Sequence, residues 1–365
     1  MANPKKKVLV APLDWGLGHA TRCIPIIKEL MSQDVEVLVA ADGRPFDHLK
    51  KEFPFLTFMR LPGYSVAYSD DKRIALKVVQ QFPQLIFSAM SEHRMLGRII
   101  REFGVQGVIS DSRFGLFARG IPCVYVSHQI GIKMPPRLEW ASYPVYLINK
   151  SLINQYSECW IPDNGGEDNL SGELSHHYPT PRNAKYIGPL SRFKKMTGIV
   201  KEYDVLVLLS GPEPQRSILE SIVLEQLKAS TYRSLVVRGV PEKNQRIKLS
   251  ELLTVVSSLE SEALNVAILS SDIVLSRPGY STVMDLALLG NRAIFIPTPG
   301  QTEQEYLAEI FLKKGTFCIR RQELFNLEEA IKEARQRPGI SSNGSPRARL
   351  RDVIQEFVAR IPEAR

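Results

Sequence analysis

The sequence predicts an α/β protein of two parallel-sheet domains, and three observations carry that reading. β-Rich runs alternate with helical patterns along the whole chain, the alternation is interrupted near residues 188–195, and 365 residues suffice for two cores. The first series comprises Val8 to Ala11, Val35 to Ala41, Leu56 to Leu61, Val105 to Ser110, Cys123 to Ser127, Trp160-Ile161 and Tyr186-Ile187. The second runs through Val205 to Leu209, Leu235 to Arg238, Val255-Val256, Ile273 to Leu275, Ile294 to Ile296 and Phe317 to Ile319. Gly188-Pro189 and the charged residues after it break the pattern, which places the domains at 1–190 and 191–345. A last helical pattern (Leu350, Val353, Ile354, Phe357, Val358) within 346–365 is expected to pack back on the N-terminal domain. Two such sheets facing each other would enclose a cleft at their C-terminal strand ends, where parallel sheets bind ligands.

Apolar content of 44% and charged content of 24% are those of a soluble globular protein. No apolar stretch approaches the roughly 20 residues of a membrane span, and Lys5 to Lys7 run directly into a strand rather than a signal peptide. A cytoplasmic protein is expected. Cys23, Cys123, Cys159 and Cys318 form no CxxC pair, so neither zinc nor a disulfide framework is indicated. The net charge of +8 suits an anionic partner, but no nucleic-acid-binding signature accompanies it.

The first strand leads into Asp14-Trp15-Gly16-Leu17-Gly18-His19-Ala20-Thr21-Arg22, then an amphipathic helix. Position 21 is threonine, not the third glycine of G-x-G-x-x-G, which disfavours NAD. Gly16 and Gly18 allow a ligand to approach, and His19 at a helix N-terminus is a candidate base, since the dipole favours neutral imidazole. Asp14 could orient His19 or act as base itself; Arg22 could meet a phosphate or pair with a carboxylate. Shaping a turn and capping a helix would also account for this run. Asp111-Ser112-Arg113 and His128-Gln129, at later strand ends, are further candidates.

In the second half, Arg277-Pro278-Gly279-Tyr280-Ser281-Thr282-x-x-Asp285 reads as strand, turn and helix start. Backbone N–H groups at Tyr280 to Thr282, with the Ser281 and Thr282 hydroxyls and Arg277, are expected to bind a diphosphate, with Asp285 accepting ribose hydroxyls. Thr282-x-x-Asp285 is equally a capping box that needs no ligand. Gly211 and Arg216 follow another strand, and Gln304 and Glu305, suited to sugar hydroxyls, follow a third; Thr302-x-x-Glu305 again has capping-box form. All three loops are expected to converge on one pyrophosphate.

The run R-P-G-Y-S-T-V-M-D followed by I-P-T-P-G-Q-T-E-Q-E-Y resembles the nucleotide-sugar region of MurG-like GT-B glycosyltransferases. Asp285 stands where those enzymes carry glutamate, and Gln304-Glu305 where they carry two glutamines. The N-terminal G-L-G-H-A-T-R-C is similar to the turn of PseG-type nucleotide-sugar hydrolases, which share the scaffold. The resemblance implies a metal-independent, inverting transfer from a UDP-sugar, an N-acetylhexosamine by expectation, without a cofactor. The acceptor would be a glycan or a lipid-linked sugar. Hydrolysis of the nucleotide sugar and non-catalytic binding are the alternatives. The aromatic and basic residues from Leu61 to Trp140 (Tyr64, Tyr68, Arg73, Phe82, Phe87, His93, Arg94, Arg113, Phe114, His128, Lys133, Arg137 and Trp140) offer an acceptor-docking surface, with association at the inner face of an anionic membrane.

Overall fold

The computed structural model describes residues 5–63, 74–134, 136–240, 245–340 and 346–362, without the side chains of 74–83, 85, 136, 137 and 346. Tyr64, Tyr68 and Arg73, and the side chains of Phe82 and Arg137, lie outside this set. The chain divides into one compact unit of residues 1–190 with 344–365 and a second of residues 191–343.

In the first unit, β1 (Lys7–Pro12), β2 (Glu36–Ala41), β3 (Thr57–Arg60), β4 (Gly107–Asp111), β5 (Cys123–Val126), β6 (Glu158–Ile161) and β7 (Ala184–Tyr186) form one sheet. Its order is β3-β2-β1-β4-β5-β6-β7, with every pairing parallel. The central strands are apolar and buried along their length, as helices covering both faces require. Those helices are α1 (Leu17–Ser32), α2 (Gly43–Glu52), α3 (Ile74–Phe103), α4 (Ser142–Ile153) and the short α5 (Glu173–His176).

The second unit contains β8 (Tyr203–Leu208), β9 (Ser234–Val237), β10 (Arg246–Lys248), β11 (Leu253–Val256), β12 (Ser271–Ser276), β13 (Arg292–Phe295) and β14 (Cys318–Ile319), in the order β10-β11-β9-β8-β12-β13-β14. All pairs are parallel except β10 with β11. Its helices are α6 (Gln215–Lys228), α7 (Ser261–Leu269), α8 (Tyr280–Leu289), α9 (Thr302–Lys313) and α10 (Leu327–Gln336). In each sheet the strand order reverses at the centre, between β1 and β4 and between β8 and β12. Pro12 pairs with Asp111 there, and Leu208 with Ser276, so adjacent loops leave the sheet level with one another.

The last helix, α11 (Pro346–Arg360), belongs to the first unit. Phe357 meets Trp160 edge-on with ring centroids 5.7 Å apart, Lys6 Nζ donates to the Val358 carbonyl at 2.9 Å, and Arg360 pairs with buried Glu158 at 2.9 Å. A Cβ at Gly107 would lie 2.9 Å from the Phe357 ring, so this packing needs glycine there.

Candidate active site

Around the reversal in the first sheet, the start of α1, the end of β4 and the loop after β5 bring six polar side chains together. Gly16 caps α1 at φ +88°, a conformation other residues rarely adopt, and His19 stands in the first turn. His19 Nδ1 lies 3.0 Å from Asp111 Oδ1, and its side chain keeps 18% exposure, enough for the ring to be reached. Arg22, one turn on, is buried: Nε donates to Asp111 Oδ2 at 2.5 Å and Nη2 to Asp111 Oδ1, a two-pronged pairing. Nη2 also lies 3.1 Å from Ser112 Oγ and 2.7 Å from His19 Nδ1, and Nη1 lies 3.2 Å from His128 Nδ1. Cys23 Sγ completes the group, 3.7 Å from Asp111 Oδ2.

The electrostatics follow from that packing. Burial, then the charge of Arg22, lowers the pKa of His19 below 6.5 against the opposing pull of Asp111. Burial disfavours the Asp111 carboxylate, yet Arg22 and His19 more than offset it and hold its pKa well below the usual range. His19 is therefore neutral and Asp111 ionised at pH 7.

Three residues differ from their sequence assignments. The carboxylate beside His19 is Asp111, not Asp14; Asp14 Oδ2 accepts from Gly63 N at 3.2 Å, while its buried Oδ1 has no hydrogen-bond partner. Arg22, which could meet a phosphate or pair with a carboxylate, does the latter with Asp111 and leaves the phosphate role unfilled. Arg113 is a fully buried strut that donates to the Pro12 carbonyl at 2.8 Å, the Leu61 carbonyl at 3.0 Å and Glu92 at 2.7 Å. Phe114 stacks on Tyr125 and His128 is buried, so neither offers a docking surface, whereas His93 is exposed.

In the second unit, α8 begins at Tyr280 behind Gly279, and no side chain caps it. The Thr282-x-x-Asp285 capping box is thus not formed: Thr282 is the third residue of the helix rather than its cap. Gly279 has an ordinary φ of −70°, and a Cβ there would meet nothing within 4 Å, so the missing side chain leaves open space over the helix N-terminus. Asp285 is half-buried, its Oδ1 accepting from Ser191 Oγ at 2.5 Å, and burial pushes its pKa up to about 6 against the opposing charge of Arg192.

The arginines expected at the phosphates turn elsewhere. Arg277 has no solvent exposure and donates to the carbonyls of Ile296, Pro297 and Gln215 at 2.9–3.0 Å and to Gln322 Oε1 at 2.5 Å; burial lowers its pKa to about 10. Four oxygens use its fork to tie the ends of β12 and β13 to α6. Arg216 donates to Glu213 at 2.6 Å and to buried Glu220 at 2.5 Å. Gln304 Oε1 accepts from Thr298 N and Glu305 Oε1 from Gly300 N, both at 2.8 Å, so these side chains brace their own loop. The cap of α9 is Gln301, not Thr302. Gly211, at φ +106°, brings the loop after β8 to the loop after β13: a Cβ there would lie 3.7 Å from Thr298 Oγ1. Tyr280 is buried, so only its backbone faces the turn. Of the groups the sequence assigns to a diphosphate, the backbone N–H groups and the hydroxyls remain at the start of α8.

Both units are similar to known proteins. Residues 7–133 match the model of glycosyl transferase family 1, and residues 215–356 that of the glycosyltransferase family 28 C-terminal domain. An uncharacterized glycosyltransferase of Methanopyrus kandleri is 24% identical over 324 residues, covering 84% of this chain and 91% of that protein. The UDP-N-acetylglucosamine–N-acetylmuramyl-(pentapeptide) pyrophosphoryl-undecaprenol N-acetylglucosamine transferase of Buchnera aphidicola is 28% identical over 150 residues, 40% of this chain and 41% of that one. The spinosyn rhamnosyltransferase SpnG complexed with thymidine diphosphate superimposes with a TM-score of 0.61 at 13% identity, covering 98% and 97% of the two chains. The chain is a glycosyltransferase of GT-B type.

Two partners in this glycosyltransferase escape sequence reasoning. Glu92 on α3, the counter-ion of Arg113, and Ser191, the hydroxyl on Asp285, lie 21 and 94 positions from the residues they serve. No local pattern links either pair.

Proposed function

We propose that the glycosyltransferase moves a sugar from a nucleoside diphosphate sugar, a UDP-N-acetylhexosamine, to a hydroxyl of a glycan or lipid-linked acceptor, with inversion and without a metal or cofactor. The observation that carries this is the His19–Asp111 pair. With Nδ1–H donated to Asp111, Nε2 of the neutral ring holds a lone pair that can take the acceptor proton. Gly16 and Gly18 let the acceptor approach. The N-terminal amides of α8 and the hydroxyls of Ser281 and Thr282 face the diphosphate and stabilise charge on the departing nucleotide. Asp285 holds the ribose, Gly211 admits the phosphates, and Gln304 and Glu305 keep Nε2 and Oε2 for the sugar. The thymidine diphosphate bound by SpnG and the hexosamine chemistry of the Buchnera enzyme support this reading. H19A is expected to abolish sugar transfer while UDP affinity by calorimetry stays within about twofold; undiminished transfer would exclude His19 as base.

The first unit also supports docking on an anionic membrane. Trp140 is 77% exposed, Tyr143, Leu147 and Ile148 are exposed along α4, and Phe87 on α3 is 70% exposed. On α3, Phe87 and Met90 lead along one face to Arg94, Arg98 and Arg101, which are exposed and have no ion pair among the described residues. No described helix is long and apolar enough to cross a membrane. Co-sedimentation with phosphatidylglycerol vesicles should fall at least fivefold in W140A/F87A; equal binding by the variant would remove this surface.

A further inference from the structure

Arg22 is an unusual companion for a catalytic histidine and carboxylate. Beside an unpaired carboxylate an imidazole gains both an orientation and the full benefit of a negative charge. Here a buried guanidinium already holds both oxygens of Asp111. Its hydrogens can be counted. Nε–H points to Oδ2 and one hydrogen on Nη1 to His128 Nδ1, while the two on Nη2 face three neighbours, Asp111 Oδ1, Ser112 Oγ and His19 Nδ1. When the two oxygens take the Nη2 hydrogens, His19 Nδ1, 2.7 Å from Nη2, is left to donate to Asp111 Oδ1 at 3.0 Å, and that is the tautomer a base at Nε2 requires. His128 Nδ1 in turn is an acceptor, which places its hydrogen on Nε2.

We propose that Arg22 is a positioning residue for the transfer. It fixes the one Asp111 rotamer whose Oδ1 reaches His19 Nδ1, and it withholds from His19 the full charge of that carboxylate. This rests on the assignment of His19 as base, and adds that Asp111 sets the tautomer of His19 without raising its basicity. The charged or titratable groups facing His19 are Arg22 on its own helix, Asp111 from β4 and His128 from the loop after β5. Of these, Asp111 alone favours the imidazolium, and Arg22 neutralises it. The ring therefore stays neutral, and competent as a base, into mildly acidic solution.

The test is a 15N NMR titration of the imidazoles in the full chain, with His19 assigned from the spectrum of H19Q. The wild-type ring should keep one tautomer, hydrogen on Nδ1, and titrate below 6.5. In R22Q the proton affinity of His19 should rise tenfold or more, because Asp111 then acts unopposed. R22K should restore the low titration point but show both tautomers, since an ammonium cannot hold both oxygens in one plane. A midpoint unchanged in R22Q overturns the proposal. If R22Q does not fold, a single retained tautomer in R22K overturns it, and mixed tautomers with a low midpoint support it. None of these readouts requires turnover, so they fail separately from the assignment of His19 as base, which H19A tests.

Discussion

Replacing Asp285 by asparagine should move stability and nucleotide affinity in opposite directions. The carboxyl ionises near 3.8 when unfolded and about 6 in the fold, chiefly through burial. Below pH 4 it is protonated in both states and burial carries no ionic penalty. As pH rises from 3.8 to 6 the unfolded chain has released this proton while the native state still holds it, so stability falls across that window, and the accumulated loss is about 3 kcal/mol at pH 8. An asparagine keeps an oxygen for Ser191 Oγ and carries no charge. D285N should therefore melt higher than wild type at pH 8, by about 2–4 °C for each kcal/mol recovered, and the gain should vanish at pH 4. If Asp285 receives the ribose hydroxyls, the substitution should weaken UDP binding by about 1.5–3 kcal/mol. Wild-type affinity should fall about tenfold between pH 8 and pH 5 as the carboxylate is protonated, while D285N shows no such slope. Scanning calorimetry and titration calorimetry read the two effects. A variant less stable at pH 8 would refute the buried-charge argument, and a wild type with pH-independent affinity would remove Asp285 from the ribose site.

Two further outcomes are expected. R277M should lower the melting temperature by an amount equivalent to about 3 kcal/mol or more, since four buried oxygens lose their donor; a variant of wild-type stability with impaired UDP binding would return Arg277 to the phosphates. Ending the chain at residue 343 should unfold the first unit, because α11 covers Gly107 and Trp160 and pairs with Glu158. Hydrogen exchange should show that loss in β1, β4 and β6 while β8 and β12 stay protected, and unchanged protection in β1 would contradict it.

The sheets were legible because parallel strands buried on both faces are continuous runs of valine, isoleucine and leucine. β10 was not: Arg246-Ile247-Lys248 is a three-residue edge strand with every residue exposed, so no periodicity marks it. At the site, glycine turns and His19 declare themselves by their position after a strand. The direction an arginine takes does not. Arg22, Arg113, Arg216 and Arg277 each stand beside a turn that suits an anion, and each points into protein, where carboxylates or carbonyls from other elements satisfy it. Sequence proximity to a ligand loop records where a side chain starts; packing of elements tens of residues away decides where it ends.

The helix that closes the first unit is made only after the whole of the second unit. Residues 191–343 are contiguous and hold a complete seven-stranded sheet, so that unit can mature while its elder neighbour still waits for its final side chains. A nascent chain would carry bare apolar surface around Gly107 and Trp160 until α11 has been made. Emergence of that helix thus becomes a checkpoint for the half that carries His19.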